Sequence, residues 1–280
     1  MRGSNETGVG SQFLILTQRN FELFFNGGIK IFSTLGFPVL IGCVIIFVCG
    51  DGFFDTYESC KSGLFTMMSA AIYVGMFNSL TSICSERQII KHEYTTNMKL
   101  SAYVLALVFV QMIICLAQSA IFTVLYTCCL NLPKETLLLP SVPLELWMTL
   151  FMVMLASDMM GITISSVVKT NEMANLVAPI VIIVQIVFSG ALFKIENKAG
   201  IIANFTVSKW GMAALGSIAR LNDLKLRIQE TFPQVPHEAE DAYTATAAHL
   251  GQCWAILAFF VIVLAVFCMI WLRRVEQDER

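Results

Sequence analysis

Five ionisable side chains, Glu86, Arg87, Lys91, His92 and Glu93, fall within the stretch SERQIIKHEY at Ser85–Tyr94. On a helix Arg87 and Lys91 stand one turn apart, and Glu86 and Glu93 two turns apart, with Ile89 and Ile90 between them. Such a segment suits a short amphipathic helix that docks into a partner. It equally suits a solvated loop whose cations anchor at a membrane surface, and the pattern alone leaves both readings open. Asp158 is a lone acid inside a long apolar run, where an ionised carboxylate is expensive. It reads either as a substrate or ion contact or as an interhelical hydrogen-bonding group. Gln111, Cys115 and Gln118 form a polar stripe at i, i+4, i+7, suited to lining a cavity or to bonding helices together. No catalytic constellation stands out. His92, His237 and His249 are scattered without metal-ligand spacing, so no metal is expected, and no G-x-x-x-x-G-K-[ST] loop is present to cradle a nucleotide.

The elements that must position these residues follow from composition. Apolar residues make up 56% of the 280-residue chain and charged residues only 14%, against about 25% charged in a soluble domain. A surface turned to lipid accounts for the deficit. The net charge of −2 supplies no basic field for nucleic acid. The nine cysteines are an odd number lying mostly in apolar runs, as small apolar side chains rather than a disulfide framework.

Reading between charges predicts an all-α membrane protein with six transmembrane helices. The spans are Ile31–Gly50, Ser62–Ser85, Leu100–Leu132 (helical over about 100–130), Leu146–Val168, Met173–Phe193 and Leu250–Leu272. Residues 1–10 read as a polar tail or linker, and 11–280 as one membrane domain. Ser11–Asn26 mixes Phe13, Leu14, Phe21, Phe24 and Phe25 with Gln12, Arg19 and Glu22, which predicts an interfacial helix, although Ile15 spoils its polar stripe. The outer segment 194–249 opens with Ala199–Ala219, too polar for a seventh span because of Lys209, and reads as a re-entrant helical piece. The remainder, through Pro233 and Pro236 to Asp241, reads as an exposed loop.

With a cytoplasmic N-terminus, the inner segments hold Arg2, Arg19, Lys30, Arg87, Lys91, Lys99, Lys169, Arg273, Arg274 and Arg280. The short outer loops hold Lys61 and Lys134 against Asp51, Asp55, Glu58, Glu135 and Glu145. That asymmetry follows the positive-inside rule and places both termini in the cytoplasm. Small residues recur every four positions at Ala71, Gly75 and Ser79 and at Ser157, Gly161 and Ser165, a spacing for close helix packing. Pro179 interrupts the fifth span. The aliphatic Ile72, Val74, Ile182, Ile183 and Ile186 on the second and fifth spans suit an amphipathic cargo or plain lipid-facing packing.

Three motifs, in this order and with these spans between them, resemble the type 2 permeases of ABC transporters, above all G-subfamily-like exporters and their bacterial relatives. Glu86-Arg87 with Lys91-His92-Glu93-Tyr94 is similar to the family's E-[RK]-x4-[HR]-E-Y stretch. Phe188-Ser189-Gly190-Ala191-Leu192 is similar to its FSG element. Ser208–Leu215 is similar to its S-x-[RK]-[WY]-x3-A-L helix. The resemblance covers nearly the whole chain from Phe13 to Arg273. It implies a multi-pass permease in the cell membrane that pairs with a second copy or a homologous half. Glu86, Arg87, Lys91, His92 and Glu93 would couple it to a nucleotide-binding domain or subunit. Phe188, Ser189, Gly190 and Leu192 would border the gate. This chain would bind no cofactor, with ATP and magnesium held by the partner ATPase. Substrate would pass between the second and fifth spans, in the direction of export. A leucine pair often follows FSG in these exporters, and here it is Ala191-Leu192, so half of that plug is missing. Family members often carry cysteines in the outer loop, and 194–249 has none. The ATPase that usually precedes the membrane domain does not precede this one, which points to a separately encoded permease or an excised domain. A membrane enzyme acting on lipid or peptide, built on Asp158, and a passive channel are the competing readings.

Overall fold

The computed structural model describes residues 8–49, 53, 56–95, 98–130, 132–133, 135–193, 195, 197–224, 226 and 239–275. Most of the polar tail, the outer-loop charges Asp51, Asp55, Lys134 and Lys194, and Pro233, Pro236 and His237 lie outside them.

The described residues form helices and no strand. Helix α1 (Val9–Asn26) leads through Gly27 into α2 (Gly28–Cys49). Helix α3 (Tyr57–Ser79) begins at Thr56, whose hydroxyl accepts the Ser59 N–H as an N-cap. It is followed after a short turn by α4 (Ser82–Thr95). Helices α5 (Leu100–Cys129), α6 (Val142–Val167) and α7 (Asn171–Val187) complete the middle of the chain. The predicted re-entrant stretch is two pieces, α8 (Asn197–Ala203) and α9 (Val207–Ile218). A 3-10 turn (Asp241–Tyr243) precedes the last helix, α10 (Ala247–Val275).

Five helical runs are long and apolar enough to cross a membrane: Ile31–Cys49, Tyr57–Tyr94, Leu100–Cys129, Val142–Val167 and Ala247–Arg273. The predicted fifth span is shorter than expected. Helix α7 has 17 residues and stops before the apolar Phe188–Phe193. Gly190 there has φ of 77°, a left-handed conformation that ends a helix cheaply only at glycine. The predicted second span differs in the other direction, since α3 starts at Tyr57, outside Lys61.

Helix α6 is the axis of the fold, packed against α3, α5, α9 and α10. Close approach to α3 depends on glycine. A Cβ on Gly75 would lie 2.4 Å from the Met154 carbonyl oxygen, and one on Gly161 2.4 Å from that of Met76. Both predicted small-residue rows therefore sit at this crossing, where the absence of side chains lets the two backbones touch. Ser165 finishes it by accepting the N–H groups of Ile83 and Cys84, each at 3.0 Å. The core around the crossing contains Met67, Met68, Ile72, Leu150, Val153 and Met154, all nearly inaccessible. Helix α9 is buried along almost its whole length, and its Gly211 sits beside Val153 and Met68.

Candidate coupling and transport site

The charged segment forms helix α4, and its charges are tied to two other elements. Arg19 of α1 reaches Glu93 at 2.6 Å and Glu86 at 3.4 Å. Its guanidinium fork lets one cation hold two carboxylates two turns apart on α4. Arg87 Nη1 donates to the Val168 carbonyl at 2.7 Å, in the link between α6 and α7. Lys91 and His92 face outward. Helix α4 therefore has one face bound to α1 and to the α6–α7 link, and Lys91, His92 and Ile89 on an exposed face. Sequence reading placed Arg19 merely among the inner charges. Its double bridge depends on α1, packed on α5, coming within reach of α4, which no local pattern encodes.

The Phe188–Leu192 element caps α7. Ser189 is buried, and its hydroxyl donates to the Ile186 carbonyl at 2.8 Å. The Ala191 N–H donates back to the Ser189 hydroxyl at 3.3 Å. Phe188 is half-buried and Leu192 is exposed, next to the exposed Phe193. One turn below, the buried Gln185 accepts the Ser208 N–H at 3.1 Å. That bond satisfies a donor that the start of α9 cannot satisfy itself and joins two of the three sequence motifs, FSG and Ser208–Leu215, into one unit.

Of the intramembrane polar residues, the two glutamines meet in a network. Asn78 Nδ2 donates to Gln118 Oε1 at 2.6 Å, and Gln118 Nε2 donates to the Thr34 carbonyl at 2.7 Å. Gln111 Nε2 reaches the Asn78 carbonyl at 3.5 Å, while its buried Oε1 has no hydrogen-bond partner among the described residues. Asp158 stands apart on α6, fully buried at the α3 crossing. Its backbone carbonyl accepts the Ser79 hydroxyl at 2.8 Å, and neither carboxyl oxygen has a hydrogen-bond partner among the described residues.

Of the aliphatic positions on the second and fifth spans, Ile72 is buried in the core, Val74 borders a cavity, and Ile183 is exposed on α7 with Ile180, Val184 and Val187. The exposed face of α7 is therefore apolar from Leu176 to Val187, beyond the exposed Asn171, Glu172 and Asn175 of its first turns.

Two sites were missed by sequence reading. Glu145, an expected outer-loop acid, is fully buried in the first turn of α6. Its Oε1 accepts the N–H groups of Leu137, Leu138 and Leu139 at 2.7, 2.5 and 3.0 Å. The available signal was an acid in a helix first turn beside Pro143. Near the end of the outer segment 194–249, Glu240 accepts from Tyr57 Oη at 2.5 Å and Lys61 Nζ at 3.2 Å. Lys61 Nζ also lies 5.3 Å from the centre of the Tyr243 ring, a cation–π distance. Burial, with the Glu240 carboxylate adding to it, raises the Tyr243 phenol above its ordinary range. Among the described residues no three His, Cys, Asp or Glu side chains gather as a metal site.

Comparison with known proteins adds two findings. The family model described as ABC-2 type transporter matches residues 11–216. The chain is 25% identical over 272 residues to the ABC transporter ATP-binding/permease protein Rv1747 of Mycobacterium tuberculosis. That alignment covers 93% of this chain and 30% of the relative, so the chain spans under a third of the relative's length.

Proposed function

The chain belongs to the ABC-2 type transporter family, and on that premise we propose that it is the permease of an ATP-driven exporter, working as a pair of membrane domains. Helix α7 completes six spans, α8–α9 re-enters the membrane from outside, and both termini are cytoplasmic. ATP and magnesium are bound by a nucleotide-binding domain, on a partner subunit or fused in one polypeptide as the name of the mycobacterial relative states for that protein.

The observation that carries this reading is the pair of anchors on α4. Arg19 ties Glu86 and Glu93 to α1, and Arg87 ties the same helix to the α6–α7 link. A push on the exposed Lys91–His92 face would reach α1 and the base of α7 together through charge-assisted hydrogen bonds. Moving α7 relative to α3 opens or closes the route between two copies, which alternating access requires. The exposed apolar face of α7, carrying Ile180, Ile183 and Val187, suits a lipid or other amphipathic cargo. Phe188, Ser189, Gly190 and Leu192 border its outer end.

The test is recovery of the full protein from its native membranes in mild detergent, with identification of copurifying ATPase and assay of transport in vesicles. A Walker-motif ATPase should accompany the chain or be continuous with it, and Glu86→Lys with Arg87→Glu should abolish ATP-driven uptake. Transport that proceeds at full rate without ATP would replace this reading with a passive channel.

A further inference from the structure

A cavity of about 540 Å³ lies within a single chain, between α1–α2 on one side and α3–α4 with α5 on the other. Helix α7 contributes no residue to it, unlike the α3–α7 route proposed above. Tyr103 and Gln118 both line it, and at the α-helical rise they stand about 22 Å apart along α5, so the cavity is long and narrow. Its volume falls within the range of about 300–1,000 Å³ of small-molecule sites.

The lining has a direction. Phe37, Tyr73 and Phe77 border the cavity and are at the same time exposed on the outside of the helices, at 58%, 47% and 39%. They form a sideways opening between α2 and α3 on the outside of the single chain. Gln111, 5% exposed, also lines the cavity, with its carbonyl oxygen unpartnered among the described residues. A buried acceptor left unmade is unfavourable, and a donor arriving in the cavity would remove that cost. At the α4 end stands Glu86, the only formally charged residue of the described lining. Its bond to Arg19 is the longer of the two that Arg19 makes, 3.4 Å against 2.6 Å to Glu93. Glu86 therefore has acceptor capacity for a second cation, while Arg19 remains held by Glu93.

The geometry points to a binding site for a single-tailed amphiphile with a protonated amine head. The tail lies along Phe37, Tyr73 and Phe77, and the ammonium reaches Glu86, with aromatic faces nearby that favour a cation. An anionic head would meet Glu86 and no lining cation to answer it. The site is a property of one chain and does not depend on the transport reading.

The experiment uses the full chain in phosphatidylcholine nanodiscs, titrated with dodecylamine and, as matched-tail controls, dodecyl sulfate and dodecanol. Binding is read by intrinsic fluorescence and by the thermal midpoint. Dodecylamine should bind about tenfold more tightly than dodecyl sulfate, and Glu86→Gln should erase most of that preference. Gln111→Leu should weaken the amine severalfold and keep the preference. Equal affinity for the two charged heads, or a preference that survives Glu86→Gln, overturns the site. Should the variants fail to fold, a diazirine-bearing alkylamine on the wild-type protein decides. Saturable labelling of peptides containing Tyr73–Phe77 and Tyr103–Gln118 is expected, and labelling confined to α7 overturns the proposal. Displacement of the label by lysophosphatidylethanolamine would mark a membrane lipid as the source, and displacement by dodecylamine alone a soluble amine.

Discussion

At the scale of single residues, buried polar groups separate into those the fold satisfies and those it leaves open. Glu145 is the case the fold serves at one oxygen, Oε1, while its buried Oε2 has no hydrogen bond among the described residues. One of its oxygens gathers three backbone donors from the approach to α6, and these N–H groups have no helical carbonyl to serve them. Glu145→Ala leaves the donors facing a closed interior and should cost about 2–3 kcal/mol, read as a lower thermal midpoint in detergent. Glu145→Gln keeps one acceptor oxygen and should cost clearly less. Asp158 is the opposite case, an enclosed carboxyl whose two oxygens have no partner within hydrogen-bonding geometry among the described residues. Replacing it with Asn removes an ionisable group and keeps the shape, so Asp158→Asn should hold or raise the thermal midpoint. A loss of several degrees in that variant would show that the carboxyl makes a contact specific to its acid form. Sequence reading found Asp158, because a charge in an apolar run stands out. It misplaced Glu145 among outer-loop charges, because nothing local distinguishes an acid that folds back onto its own approach from one facing water.

At the scale of helices, the α3–α6 crossing is set by what two glycines lack. At both Gly75 and Gly161 an added Cβ would meet a backbone carbonyl oxygen at 2.4 Å, and a backbone in the middle of a packed pair has no rotamer to change. Gly75→Ala and Gly161→Ala should each push the helices apart and cost about 1–3 kcal/mol or more. Gly251, at the start of α10, has nothing within 4 Å of the same position, and Gly251→Ala should be neutral or stabilising by up to about 1 kcal/mol. Thermal unfolding of the three variants side by side checks the contrast. This crossing was legible in the sequence as two small-residue rows, because spacing of four on a helix survives any tertiary detail. The end of α7 was not legible. Phe188–Phe193 is apolar enough to continue a span, and only the left-handed Gly190 with the Ser189 turn shows that the helix stops at Val187. The division of the second span was hidden for the same reason: Leu80 and Thr81 carry no breaker, and the turn before α4 is fixed by Ser165 reaching across from α6.

At the scale of the whole molecule, the count of crossings and the position of α4 are one question. Five helical runs span by length and composition, and five crossings would put the two ends of the chain on opposite faces. Helix α7, at 17 residues, rises about 25 Å against a hydrocarbon core of about 30 Å. It crosses if Phe188–Phe193 completes the depth or the bilayer thins beside it, which costs only fractions of a kcal/mol per Å. The positive-inside distribution favours that outcome, since an odd count would carry Arg273 and Arg274 to the face that holds Glu58 and Glu135. The difference is measurable with single cysteines in a background where the native cysteines, three of them exposed, are replaced by serine or alanine. In sealed, right-side-out vesicles a membrane-impermeant maleimide should label Lys61→Cys at once, and Lys91→Cys and Val275→Cys only after the vesicles are opened. Labelling of Val275→Cys from outside would mean that α7 does not cross. The Lys91–His92 face would still lie inside, but α7 and the Phe188–Leu192 element would then have to work as a hairpin in the inner leaflet, and a route between α3 and α7 across the full membrane could not exist.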